Sequence, residues 1–309
     1  VSAVRDVAVV QFKPRKGDVP ANLAALRAIF AQLQGDEKPD LVVLPEAALT
    51  GYFVEGGVYD LAVTAGEFAA RIAREYRAAT GGTAPLDFVC GFYEKDGGTF
   101  YNSAIYLKLG DAEPFVAHVH RKLFLPTYGV FDEQRFLTRG RHMNVFETAF
   151  GKAALMICED AWHSLVPTVA ALKGATLMIV PSASPGRGLG GDGELESTTR
   201  WKTLLGAMAA EHGVYVLYAG LTGFEGGKGM SGSSCAYGPH GNLLNIAPAL
   251  ESCIFRVRLD PDEIDIARAR FPLLGDLSAV LPDLLLDDEL PVQRGVRSTN
   301  GTIKGEVSS

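Results

Sequence analysis

Three residues stand where a strand pattern runs out, and their side chains together suit one chemistry. Cys158 closes the apolar run Ala153-Ala-Leu-Met-Ile157 and is followed at once by Glu159-Asp160-Ala-Trp162, the pattern of a buried strand delivering a residue to the edge of a sheet. Glu46 follows Leu41-Val-Val-Leu44-Pro45 in the same way, and Lys122 follows the strand pattern Phe115 to Val119. A cysteine attacks an amide or nitrile carbon as its thiolate, so a base must stand beside it, and a carboxylate raised by burial can serve. An ammonium nearby stabilises both the thiolate and the oxyanion of a tetrahedral intermediate, and offsets part of the cost of burying the acid. Taken singly, each has a bland reading: a small buried hydrophobe for Cys158, a solvated loop carboxylate for Glu46, a surface cation for Lys122. The constellation, rather than any member, carries the argument.

The elements that must position these residues alternate strand and helix at first. Asp6 to Phe12 reads as a strand, Asn22 to Leu33 as a helix, Leu41 to Leu44 as a strand, and Leu61 to Ala79 as an amphipathic helix stopped by Gly81-Gly82. Leu86 to Tyr93, Tyr101 to Leu107 and Phe115 to Val119 follow with only turns between them, the mark of antiparallel additions to a sheet. From His120 to Phe136 the chain has many aromatics and alternating charges, and a loop of that length inside a domain is usually functional. After Cys158 a helix is expected from His163 to Gly174, a strand from Ala175 to Val180, a helix from Glu194 to His212 and a strand from Val214 to Leu221. Strands at Ser231 to Tyr237, Leu243 to Ile246 and Cys253 to Leu259, a helix at Glu263 to Arg270 and a proline-bearing tail complete the pattern. The Gly186 to Gly193 run has neither a GKS or GKT ending nor GxGxxG spacing, so it reads as a turn-rich loop near the site rather than a phosphate loop.

Composition removes other classes. Of 309 residues, 47% are apolar, and 29 basic against 36 acidic residues give a formal charge of −7 with no basic cluster standing out. Nucleic acid and anionic membrane are therefore not expected partners. No apolar run approaches the roughly 18 residues of a membrane span, and a cytoplasmic location is expected by default. Cys90, Cys158, Cys235 and Cys253 are scattered, with no CxxC pair and no histidine at zinc spacing, so neither a disulfide framework nor a metal site is expected. The three cysteines other than Cys158 read as structural.

Leu44-Pro-Glu46 with Gly51-Tyr52, Arg121-Lys122 with Leu125-Pro126 and Phe131-Asp-Glu133-x-Arg135-Phe136, and Ile157-Cys158-Glu159-Asp160 resemble the nitrilase, or carbon-nitrogen hydrolase, superfamily. The likeness runs from the first strand to about Asp276. It implies an α/β fold, a four-layer α-β-β-α sandwich that usually dimerises through its helices. It also implies a catalytic set in which Glu46 is the general base, Lys122 stabilises the oxyanion, Cys158 is the nucleophile and Glu133 orients Lys122 and the substrate nitrogen. No cofactor or metal is implied. Leu125-Pro-Thr-Tyr-Gly-Val-Phe-Asp-Glu-x-Arg135 and Cys158-Glu-Asp-x-Trp162 are most similar to the glutaminase domains of glutamine-dependent NAD synthetases, and Ser182-Ala-Ser184-Pro185 is similar to serines lining the glutamine pocket there. On that likeness Tyr52, Tyr128, Ser182 and Ser184 are expected around the substrate; Glu159 is expected beside them, shaping the helix start and pocket with Asp160, and Trp162 as pocket wall or core. Arg187 either meets a substrate carboxylate or is a solvated loop cation, and Arg135 either pairs with a carboxylate near the site or lies on the surface.

The sequence departs from those synthetases in carrying no Ser-Gly-Gly-x-Asp-Ser motif after Pro291, and in its Gly186 to Gly193 insertion. The expected arrangement is one domain over 1–276 and a C-terminal extension over 277–309, packed on a partner copy and frayed at its end. The expected function is hydrolysis of a small carboxylate-bearing amide through a cysteine thioester, by a homodimer or higher homo-oligomer. Two alternatives stay open: a glutaminase subunit serving a separate synthetase, and a catalytically silent binding protein of the same fold. Nitrile hydrolysis fits less well, because Glu159 stands where nitrilases usually carry tryptophan.

Overall fold

A computed structural model describes residues 3–35, 38–82, 84–110, 112–191 and 193–286. Elements are numbered along the chain. β1 (Arg5–Gln11), α1 (Val19–Gln32), β2 (Leu41–Val43), α2 (Val58–Leu61) and α3 (Ala65–Thr80) open it, followed by β3 (Leu86–Asp96), β4 (Thr99–Leu109) and β5 (Phe115–Arg121). Next come β6 (Phe146–Thr148), β7 (Gly151–Leu155), α4 (Leu165–Leu172), β8 (Leu177–Ser182), α5 (Glu196–His212) and β9 (Tyr215–Gly220). β10 (Thr222–Glu225), β11 (Lys228–Ser231), β12 (Cys235–Tyr237), β13 (Leu243–Ile246), β14 (Cys253–Leu259), α6 (Asp262–Arg270) and α7 (Leu273–Leu286) complete it.

Two six-stranded sheets form, in the orders β14-β1-β2-β3-β4-β5 and β13-β12-β9-β8-β7-β6. In each, the central pairs β1–β2–β3 and β7–β8–β9 are parallel and the flanking strands antiparallel. Alternation along the strands decides the layering. Val7, Val9, Leu41 and Val43 join one apolar cluster with Leu155, Leu177, Ile179 and Leu217 of the other sheet, whereas Ala8, Val10, Val42 and Leu44 pack with Leu26 and Phe30 of α1 and Ile72 and Tyr76 of α3. Val166 and Ala170 of α4 and Trp201, Leu205 and Met208 of α5 cover the second sheet. The sequence of layers is thus α-β-β-α, with strands buried on both faces reading as continuous apolar runs.

Local chemistry sets the element ends. α3 begins at Ala65 rather than Leu61 because Thr64 and Glu67 form a capping box, and it stops at Gly81 in the left-handed conformation. The segment expected as one strand from Ser231 to Tyr237 is broken: Gly232 and Ser233 take φ +65° and +53°, so Lys228–Ser231 instead turns back on Thr222–Glu225 as a separate hairpin. The helix expected from His163 starts at Leu165, after a 3₁₀ turn over Cys158–Trp162.

Two compact units divide the chain, Val1–Leu274 and Gly275–Ser309. In the second, the expected proline-bearing tail is helical up to Leu286 despite Pro282, in a leucine-rich run of good helix formers. The expected frayed end lies outside the described residues. Among the described residues, no helix is long and apolar enough to cross a membrane.

Candidate active site

Glu46, Lys122 and Glu133 come from three separate loops and meet in the interior. Beyond β2 the chain stays beside β3, with Leu44 N donating to Val89 O and Gly91 N to Pro45 O, which carries Glu46 to the sheet end. Gly91 is required there: a Cβ on it would lie 2.4 Å from Glu46 Cα. Lys122 directly follows β5, and its N–H still donates to Asn102 O of β4. Glu133 opens a 3₁₀ turn within the long loop, its N–H bonded to Pro126 O.

The Lys122 ammonium donates to Glu46 Oε1 at 2.8 Å and to Glu133 Oε1 at 3.1 Å, with Glu133 Oε2 at 3.0 Å. Asn102 Nδ2 ties the two carboxylates together, 2.7 Å from Glu46 Oε1 and 2.8 Å from Glu133 Oε1, and Ala183 N donates to Glu46 Oε2 at 2.7 Å. Glu46 and Lys122 are 0% and 1% exposed, so they meet without water to screen them. Burial alone works against the Lys122 ammonium, but Glu133 and then Glu46 outweigh it and hold its pKa well above the ordinary lysine value. Burial, partly opposed by Lys122 and reinforced by Glu46, raises Glu133 to about 7.

Cys158 begins its 3₁₀ turn with φ +44°, a left-handed conformation that a non-glycine residue adopts only under constraint. Its thiol is buried and feels the charges of Glu46, Lys122 and Glu133. Burial, followed by Glu46, pushes the thiol pKa up, while Lys122 and Ser182 pull it back. Burial and the charge of Glu46 thus both favour the protonated sulfur, and Lys122 opposes them. Ser182 Oγ is buried without a well-formed hydrogen bond, yet stands close enough to Cys158 and the Tyr218 phenol to favour their ionised forms.

The turn bearing Cys158 is held by Asp160. Its Oδ1 accepts from Leu123 N at 2.9 Å and Phe124 N at 3.0 Å, and its Oδ2 from Ile157 N at 3.0 Å, with His120 Nε2 at 2.9 Å. One fully buried carboxylate thus joins the backbone just before Cys158 to the backbone just after Lys122.

Beside Glu133 opens a cavity of about 260 Å³, walled by Tyr52, Phe53, Tyr93, Phe131 and Phe136, with Glu55, Asp132 and Arg135 at its polar edges. Of the residues expected around a substrate, Tyr52 lines it. Arg187 does not line it; its guanidinium lies 4.9 Å from the centre of the Phe131 ring, which does, and 5.9 Å from that of Tyr128. Tyr128 is half exposed and donates to Glu159 Oε2 at 2.8 Å, which fixes Glu159 on the loop rather than in the cavity. Trp162 packs edge-on against Trp201 at 5.3 Å, and Ser184 engages Ser231 through its backbone carbonyl, so both serve packing here. Arg135 pairs with Asp132 at 3.6 Å on the surface of the mouth. Sequence reasoning missed Asn102, Phe53 and Glu225; the last, 3% exposed, accepts from Tyr52 N at 2.8 Å and Phe53 N at 2.9 Å and so holds the cavity wall. Among the described residues no group of three or more His, Cys, Asp or Glu side chains is disposed to hold a metal ion.

The family model for carbon-nitrogen hydrolases matches residues 6–269. The chain belongs to the carbon-nitrogen hydrolase family. This carbon-nitrogen hydrolase is 32% identical over 246 residues to a glutamine-dependent NAD(+) synthetase of Xylella fastidiosa, a match covering 79% of this chain and 42% of that protein. The chain thus spans less than half the length of the first curated relatives it matches. A carbon-nitrogen hydrolase of Helicobacter pylori has the same fold (TM-score 0.79, 24% identity, 92% of this chain and 99% of that one). So does a variant amidase of Nesterenkonia sp. AN1 (TM-score 0.72, 22% identity, 91% and 97%), which carries the acetamide moiety of fluoroacetamide covalently on its active-site cysteine.

Proposed function

We propose that this carbon-nitrogen hydrolase cleaves the amide bond of a small, carboxylate-bearing substrate through a thioester on Cys158. The observation that carries this reading is the dry cluster in which one ammonium is shared by two carboxylates beside a cysteine on a strained turn. Glu46 takes the thiol proton as sulfur bonds to the amide carbon. The carbonyl oxygen becomes an oxyanion facing the Lys122 ammonium, which is fixed before the reaction begins and reorganises little during it. Collapse of the tetrahedral intermediate breaks the C–N bond, the amine leaves with the proton from Glu46, and a thioester remains. Water, deprotonated by Glu46, then attacks the thioester and restores the thiol. Glu133 and Asn102 hold Lys122 and Glu46 in place, and the aromatic cavity, with Arg187 beside its Phe131 wall, receives the rest of the substrate.

The fold likeness to an amidase labelled on its active-site cysteine supports the nucleophile assignment. The test is ammonia release from a panel of amides, N-carbamoyl compounds and glutamine, with acid quenching during turnover and peptide mapping of the acylated residue. An acyl group on Cys158 is expected; acylation at another residue would overturn the assignment. A second reading, glutamine hydrolysis that supplies ammonia to a synthetase, is favoured by the 32% identity to a glutamine-dependent NAD(+) synthetase over 42% of its length. Glutamine standing above all other amides in the panel, with stimulation by a synthetase partner, would select it. A protein that releases ammonia from none of them, with a Cys158 thiol no more reactive than Cys90, would be a silent binding protein.

A further inference from the structure

A second concavity, of about 430 Å³, lies between the end of β5 and the segment 138–144. Arg121, Arg139 and Arg141 line it, with Thr138 and Asn144, and no carboxylate does. Arg121 is already engaged, pairing with Glu94 at 2.8 Å and lying 4.0 Å over the Tyr101 ring. Arg139 and Arg141 are exposed, and among the described residues neither has an acidic partner. Their mutual placement is fixed by the backbone between them. Gly140 N donates to Lys122 O at 2.7 Å, Thr138 N donates to Phe100 O at 2.8 Å, and a Cβ on Gly140 would lie 2.1 Å from Arg121 O. The backbone that carries the two arginines is therefore laid flush on the sheet end. His120, 1% exposed, also lines the cleft; its Nε2 is bonded to Asp160 while its buried Nδ1 has no partner among the described residues.

We propose that this cleft is an anion site for a small phosphorylated molecule, separate from the cavity beside Glu133. Arg139 and Arg141 stand two residues apart on one wall of a cleft that Arg121 also lines, so three cationic side chains converge on it in a chain of net charge −7. A planar monocarboxylate is satisfied by one guanidinium fork, whereas a tetrahedral phosphate accepts from two forks at once and has oxygens left for the Thr138 hydroxyl and the Asn144 amide. The volume exceeds that of the phosphate itself, leaving room for an organic group. The site does not depend on the chemistry proposed for Cys158.

Calorimetric titration at low ionic strength tests it, with inorganic phosphate as probe and acetate as the planar comparison. Saturable binding of one phosphate per chain is expected, with acetate at least about tenfold weaker. Arg139→Gln/Arg141→Gln is expected to weaken phosphate at least about tenfold, since a charge-assisted hydrogen bond contributes roughly 1.5–3 kcal/mol. Arg74→Ala/Lys108→Ala, which removes the same charge elsewhere, and Cys158→Ala are expected to bind phosphate as the wild type does. Absence of saturable binding, full binding by the Arg139/Arg141 variant, equal loss in the Arg74/Lys108 variant, or equal affinity for acetate would each overturn the proposal. If the double variant fails to fold, Arg139→Gln alone carries the same comparison.

Discussion

Replacing Asp160 by asparagine changes almost no volume and tests whether one carboxylate ties the Cys158 turn to the Lys122 loop. Four donors converge on it: Leu123 N and Phe124 N on Oδ1, Ile157 N and His120 Nε2 on Oδ2. An asparagine offers one acceptor oxygen: with its NH₂ at the Oδ1 position Leu123 N and Phe124 N lose their acceptor, and with it at the Oδ2 position Ile157 N does, while His120 Nε2 can accept from the amide as the other tautomer. Hydrogen bonds to a charged group contribute roughly 1.5–3 kcal/mol each, so losing the Ile157 N bond costs at least roughly 1.5–3 kcal/mol and losing both bonds on Oδ1 roughly 3–6 kcal/mol. That is a large share of the roughly 5–15 kcal/mol that holds a domain folded. His120→Ala removes one of the four and should cost about 1–3 kcal/mol. Guanidinium titrations of the wild type and both variants at neutral pH measure this directly. In the amide assay, a Cys158 displaced by about 1 Å should lower kcat by about a hundredfold. An Asp160→Asn protein within about 1 kcal/mol of wild type, or no less active, would refute the reasoning.

Glu133 is expected to make stability fall as pH rises. Its carboxyl is raised from 4.5 to about 7 by burial, so the native state holds a proton that the unfolded chain has lost over that window. The stability it contributes is complete below pH 4.5 and disappears as pH rises through about 7, a slope that Glu133→Gln should abolish. Parallel stability curves for the two proteins between pH 5 and 8 would contradict this. Gly91→Ala, whose methyl would press on Glu46 Cα, should cost about 1–3 kcal/mol of stability and lower kcat; an unchanged Tm and kcat would count against the close fit. Glu225→Ala leaves Tyr52 N and Phe53 N without an acceptor and should raise KM more than it lowers kcat, whereas Glu225→Gln retains an acceptor and should restore KM; steady-state kinetics decide.

Glu46, Lys122 and Cys158 were legible because each closes a strand, and a strand end is a local pattern of apolar run followed by charge. That they act together was an expectation from their complementary chemistry and from family likeness, since nothing in the local sequence specifies that β2, β5 and β7 end around one point. Asn102, and the partners of Asp160, escaped for the opposite reason. Asn102 sits within β4 and Asp160 within a short turn, and their roles exist only through partners 31 to 56 and up to 40 residues away. The β10–β11 hairpin, and with it Glu225, was hidden because Ser233 is not a residue whose type announces a positive φ. Phe53 and Phe131 wall the cavity, whereas Trp162 packs on Trp201 and Ser184 engages Ser231, contacts that no local pattern specifies. The absence of a basic cluster in the linear sequence was likewise a matter of spacing: Arg121 stands well apart from Arg139 and Arg141 until the chain folds.

The most direct measurement is the rate of ammonia release from the best amide substrate by wild-type protein and by Cys158→Ala, with circular dichroism to establish that both are folded. The account predicts a loss on the order of a thousandfold or more with the spectrum unchanged, because no other group in the cluster can form the thioester. Equal rates from the two proteins would contradict it.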